Sequence, residues 1–191
     1  MLNAATVPAH IAFCYTKRRY DLLDALLFEV GQIFPQITYE VDAQSRTANA
    51  QALMRGAVRV VRLYGGLAMH PMVGADALVF TFLHETGHHL AEGHRLALDP
   101  KIACECAADK WALVTGRGQW ERAFNRRFDI SAAMDELSAM IDSVQRPLGQ
   151  KRRQAKRCLP KACWAPSWTA RKAQLLKLRS NEMPRFCCLS K

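Results

Sequence analysis

ADALVFTFLHETGHHLAE, residues 75–92, decides how the rest of the chain is read. From Ala77 to Leu83 it is apolar on every side except for Thr81, so a helix here is expected to be buried all round. That buried helix then carries His84, Glu85 and His88. Residues four apart on a helix are separated by about 400°, so both imidazoles leave one face, one turn apart. Two histidines and a glutamate are costly to bury without partners. The spacing suits two ligands of one tetrahedral zinc ion, Zn2+. Glu85 is turned by roughly 100° from His84, beside such an ion but not on it. There it can take a proton from water that the metal acidifies. His89 is turned by roughly 100° from His88 and cannot reach the same ion; a surface or outer position is expected for it.

A zinc ion that does chemistry needs a third protein ligand. Two residues are candidates. His94 lies six after His88, the metzincin spacing HExxHxxGxxH, but the glycine position of that pattern is Ala91 and the glycine stands at Gly93. Glu105 opens ECAADKWA, with Asp109 four residues on and therefore on the same helical face. A carboxylate completes a His2Glu set, and a second one a turn away can hold a ligand histidine by its other ring N–H. Ala107, Ala108, Trp111 and Ala112 around them are the small and apolar residues that close packing on another helix needs.

The remaining pattern predicts an α+β chain. Residues 18–34 read as a helix with Tyr20, Leu23, Leu27 and Val30 on its buried stripe. QITYEVD alternates Ile37, Tyr39 and Val41 as a half-buried strand. Residues 45–54 read as helical. AVRVVRLYGG reads as a strand, and Arg59 and Arg62 place it at a sheet edge, where charge is tolerated. Gly93 is the expected C-cap of the buried helix. Pro100 is expected at the start of the next helix and Gly116 at its end. Two further helices are expected over about 119–128 and 130–145.

HETGHH followed by E-x-x-A-D-x-W-A resembles the gluzincin zinc peptidases, with their HExxH and downstream ExxAD. Among these it is similar to compact bacterial ImmA/IrrE-type peptidases. LYGGL, upstream of the first histidine, is also similar to the edge strand and turn before this helix in such proteins. The likeness spans about residues 55–116. It implies a zincin-like fold, a short mixed sheet whose edge strand packs on the active-site helix, with further helices. It implies His84, His88 and Glu105 as zinc ligands, Glu85 as general base and Asp109 as the partner of His84. The activity implied is metalloendopeptidase hydrolysis of a protein or peptide substrate, paired along the strand at about 57–64. Many gluzincins add a Tyr or His downstream of the third ligand to stabilise the oxyanion. This chain has no His after position 94 and no Tyr after position 64. That role then falls to Tyr64, His70, an arginine such as Arg117, or the zinc alone. A metal-binding protein without hydrolytic activity is the alternative.

Composition separates a body from a tail. Residues 146–191 hold 13 Lys/Arg against one acid, Glu182, a net of +12; residues 1–145 hold 14 against 16, a net of −2. A metallopeptidase domain over 1–146 and a flexible basic tail over 147–191 are expected. Such a tail can engage nucleic acid through phosphates, with Trp164 and Trp168 to stack on bases, or stay solvated. No apolar run reaches eighteen residues, so no transmembrane helix is expected. The N-terminal stretch lacks the order of a secretion signal, and seven cysteines, an odd number, fit free thiols; both point to the cytoplasm.

Overall fold

A computed structural model describes residues 5–96 and 99–145. The segment 147–191, and with it the expected tail, lies outside the described residues. The chain is a mixed α+β structure. In order, its elements are β1 (Ala5–Thr6), α1 (Lys17–Ile33), β2 (Ile37–Asp42), β3 (Thr47–Ala48), β4 (Ala50–Arg55) and β5 (Val58–Tyr64). Then follow α2 (Gly65–Ala68), α3 (Ala75–Leu90), α4 (Glu105–Trp111), a π-helical turn (Ala112–Gly116), α5 (Arg117–Phe124) and α6 (Ile130–Gln145).

The main sheet has three strands in the order β2-β5-β4. β2 runs parallel to β5 with Tyr39 beside Val61, and β4 runs antiparallel with Ala52 beside Val61. A separate small pair joins β1 to β3. Alternation gives the main sheet two different faces. Tyr39, Val61 and Ala52 form a row toward α3, where the Tyr39 ring packs edge-on to Phe82 and its hydroxyl meets Thr86 Oγ1 at 2.8 Å. Thr86 already donates to Phe82 O, so Tyr39 is the donor of that bond. The next row, Glu40, Arg62 and Gln51, faces outward, and Glu40 accepts from both Arg62 and Arg55.

Two expectations are corrected here. Residues 45–54 are not helical but supply β3 and β4, pairing through backbone bonds that helix propensity does not weigh. The strand at 58–64 is central rather than an edge; its Arg62 sits on the outward face, held by Glu40. The edge next to α3 is β4.

α3 runs through the middle of the fold, and every residue from Ala77 to His89 is buried. The core around it gathers Leu23, Leu26 and Val30 of α1, Val61 and Leu63 of β5, and Met134, Leu137 and Met140 of α6. On α1 the buried stripe is Arg19, Leu23, Leu26 and Val30; Tyr20 is exposed and Leu27 half-buried, a shift from the expected face. Arg19 is buried because its guanidinium serves two backbone carbonyls, Ala68 O and Val73 O. The Gly65-Gly66 pair lets α2 lie against backbone: a Cβ at Gly65 would stand 2.3 Å from Ala43 O.

Past α3 the chain again departs from the expected elements. The helix ends at Leu90, with Ala91 rather than Gly93 in the cap position. Pro100 does not open α4. Arg95 instead forms an isolated bridge with Ala103, and the helix starts at Glu105. Gly116 does not stop the helical path, which passes through the π turn into α5. A side chain at Gly116 would strike Trp111, so this glycine serves packing instead. The last helix, α6, covers the expected range. Among the described residues no helix is long and apolar enough to cross a membrane. Among the described residues Cys14, Cys104 and Cys106 form no disulfide.

Candidate metal centre

α3 presents His84 and His88 on one face, 5% and 3% exposed, and α4 brings Glu105 to them. The His84 and His88 Nε2 atoms are 3.1 Å apart. Glu105 Oε2 lies 3.4 Å from His84 Nε2, and Glu105 Oε1 lies 3.5 Å from His88 Nε2. Among the described residues this is the group of three potential ligands whose donor atoms converge, all within 4.8 Å of one another.

The other nitrogens fix the proton positions. His88 Nδ1 lies 2.7 Å from Ala103 O, a carbonyl that can only accept, so Nδ1 carries the proton. His84 Nδ1 lies 2.8 Å from Asp109 Oδ1 and donates to it likewise. Both Nε2 atoms therefore turn lone pairs toward the same point. Two lone pairs at 3.1 Å repel each other unless a proton or a cation lies between them. A tetrahedral ion with ligand bonds of about 2.0–2.1 Å separates its ligands by about 3.3–3.4 Å. The 3.1, 3.4 and 3.5 Å edges fit that triangle, so the residues present suit a metal ion. Burial, reinforced by the neighbouring His84, holds His88 below the ordinary imidazole range, which favours the neutral form that ligation needs.

The approach of α4 to α3 depends on Gly87, between the two histidines. A Cβ there would stand 2.7 Å from Ala108 O and 3.0 Å from Ala108 Cα, both backbone atoms. With hydrogen alone at this position the helices close to backbone contact, and Glu105 and Asp109 reach the histidines from one face. The loop before α4 grips the same helix. Ala103 N donates to His88 O at 2.7 Å, while Ala103 O takes the His88 side chain. Glu85 flanks the group: its Oε1 lies 4.0 Å from His84 Nε2, and its Oε2 accepts the Ala52 N–H of β4 at 2.8 Å.

Several sequence candidates stand elsewhere. His94 is exposed and outside the converging group; its carbonyl accepts from Cys104 N, which turns the chain back toward α4. Tyr64 follows Arg62 by two residues and so shares the outward face of the sheet, away from α3; its hydroxyl donates to Gln51. His70 is buried against α6. Its Nδ1 accepts from Met72 N, its Nε2 faces Ser143 Oγ at 3.1 Å, and it borders a cavity of about 370 Å³ with His10, Met72 and Asp142. Arg117 is paired to Glu121. His89 is buried at 4% exposure rather than at the surface, with Nε2 donating to Val60 O at 3.0 Å. Three contributors escape a reading by residue type: the Ala103 carbonyl, the Ala52 N–H and the bare Cα of Gly87. Only Gly87 leaves a trace in the sequence, as a glycine inside a helix between two candidate ligands.

Comparison with family models, with curated proteins and with solved structures finds no match.

Proposed function

We propose that the chain is a zinc-dependent peptide hydrolase with a zincin-like, gluzincin-type site. The observation that carries this reading is the convergence of His84, His88 and Glu105 with Glu85 at their side. His84, His88 and Glu105 would hold the ion, and Asp109 and Ala103 would orient the two imidazoles. A zinc ion held there supplies Lewis acidity, which polarises a carbonyl and acidifies water. Glu85 Oε1, directed at the group, takes the proton of the attacking water and returns it to the leaving amine. β4 offers an extended peptide a strand edge beside this carboxylate. The test is Glu85→Gln in the purified chain. Zinc content is expected to match wild type while peptide cleavage disappears; undiminished cleavage would remove Glu85 from the mechanism.

One observation favours a second reading, a metal-binding protein without hydrolysis. Neither Tyr64 nor His70 turns toward the ligand group, and no His or Tyr follows Glu105 in the chain. A missing oxyanion donor typically costs about 2.7–4 kcal/mol of transition-state stabilisation. Cleavage of a peptide library by the zinc-loaded protein, lost in Glu85→Gln, decides for the hydrolase.

A further inference from the structure

Glu85 is anchored on one side only. Its Oε2 accepts the Ala52 N–H at 2.8 Å, and its Oε1 faces His84 Nε2 from 4.0 Å. Ala52 is an inner residue of β4, 6% exposed, and lies beside Val61 of β5. In an antiparallel pair the N–H and C=O of one residue point the same way, both to the partner strand or both away from it. The Ala52 N–H goes to Glu85, so it points off the free edge of the sheet. An unpaired edge N–H is ordinarily left to water or to an added strand. Here it is spent on a carboxylate beside the metal-ligand group.

We infer that the Ala52 N–H is a positioning donor for Glu85. It pins Oε2, and so leaves Oε1 as the working oxygen aimed at the ligand group. The inference rests on the hydrolase reading for its purpose, but the contact can be tested without activity. It also explains an alanine in this place. A larger side chain on the inward row would hold α3 off, whereas Ala50 and Ala52 let the helix come near enough for Glu85 to reach backbone. The edge strand thereby fixes the base.

The experiment uses the full chain, labelled with 15N, free and loaded with cobalt(II). The Ala52 amide is expected to exchange slowly in wild type and in Glu85→Gln, whose side-chain oxygen accepts the same bond. In Glu85→Ala its exchange is expected to rise roughly tenfold or more, the scale of a hydrogen bond to a charged acceptor. Leu53, whose N–H faces β5 by alternation, serves as the unchanged control. Ala52→Pro deletes the donor in an edge strand, where the N–H points away from β5 and proline is accepted. Ala52→Pro and Glu85→Ala are expected to shift the visible spectrum of the bound cobalt alike, with cobalt affinity unchanged. A purely structural bond would leave that spectrum as in wild type. If Ala52→Pro does not fold, Glu85→Asp replaces it. One methylene shorter, it cannot span from Ala52 to the ligand group, and the same spectral shift is expected. Equal Ala52 exchange in wild type and Glu85→Ala overturns the inference, and so does an unshifted spectrum in the donor or reach variant. Failure of wild type to bind cobalt or zinc overturns the hydrolase reading, while the exchange result still decides the contact.

Discussion

His88 and His70 are both buried histidines held between a backbone group and a side chain, yet they are prepared for opposite ends. His88 gives its Nδ1 proton to Ala103 O, and its Nε2 lone pair converges with that of His84. His70 is closed at both nitrogens. Its Nδ1 accepts the Met72 N–H, so its Nε2 carries the proton and donates it to Ser143 Oγ, which in turn donates to Met140 O. Burial and residue type are nearly the same; the difference lies in which nitrogen is spent on the protein. A carbonyl or carboxylate on Nδ1 leaves the Nε2 lone pair available to a ligand role. A backbone N–H on Nδ1 makes a strut. The same chain of bonds argues against Ser143 as a nucleophile, because a histidine that donates to a hydroxyl cannot also take its proton.

The largest effect that would break this contrast is loss of a ligand. Glu105→Ala and His88→Ala are expected to weaken zinc binding by well over about 100-fold, more than the loss of any outer partner. Competition with a chromogenic chelator measures this, and retention of near wild-type affinity would show that the converging group does not hold the ion. Asp109→Ala comes next. It removes the acceptor 2.8 Å from His84 Nδ1 and is expected to cost about 10–100-fold in zinc affinity. The parallel change at the strut, His70→Gln, is expected to leave zinc affinity as it was. Equal losses in the two variants would erase the distinction drawn here.

Gly87→Ala tests how the two helices meet. The added methyl would sit 2.7 Å from Ala108 O, which belongs to backbone and cannot swing aside. Overpacking of this kind costs about 1–3 kcal/mol, so a lower urea midpoint is expected together with weaker zinc binding. A variant with wild-type stability and weak zinc binding would sharpen the point further, by showing that α4 moves as a body and takes Glu105 with it.

These particulars also show what the sequence could and could not reveal. The buried α3 and the spacing of His84, Glu85, His88, Glu105 and Asp109 were legible, because helical geometry turns intervals of four into a shared face. The amphipathic α6 was legible for the same reason. β4 reads as helical because Ala50 and Ala52 carry helical propensity, while their actual environment is a strand edge under a close-packed helix. β5 reads as an edge strand from Arg59 and Arg62, but the strand is central, and Arg62 marks its outer face. Residue type reports polarity well, but it does not separate an edge from an outer face. Nor does it reveal partners that are backbone atoms, as at Ala52 and Ala103.

The smallest expected effect is a pH dependence that isolates the strut. Burial, with the Arg19 charge adding to it, holds His70 below the ordinary imidazole range. Unfolded, the same side chain titrates near about 6.5. Between that value and the lower folded one, the unfolded chain binds more protons than the folded chain, so stability falls as pH falls through this window. Protonation would also break the Met72 N–H bond, which needs the Nδ1 lone pair. His70→Gln is expected to cost about 0.5–3 kcal/mol at pH 7.5, from lost packing and bonding. It should then lose less than wild type on going to acid. Metal-free protein is the right sample, since the buried His88 and His89 titrate alike in both chains and cancel in the difference. Urea midpoints that fall in parallel for the two proteins would mean that His70 is not kept neutral by its surroundings, and the contrast with His88 would then rest on geometry alone.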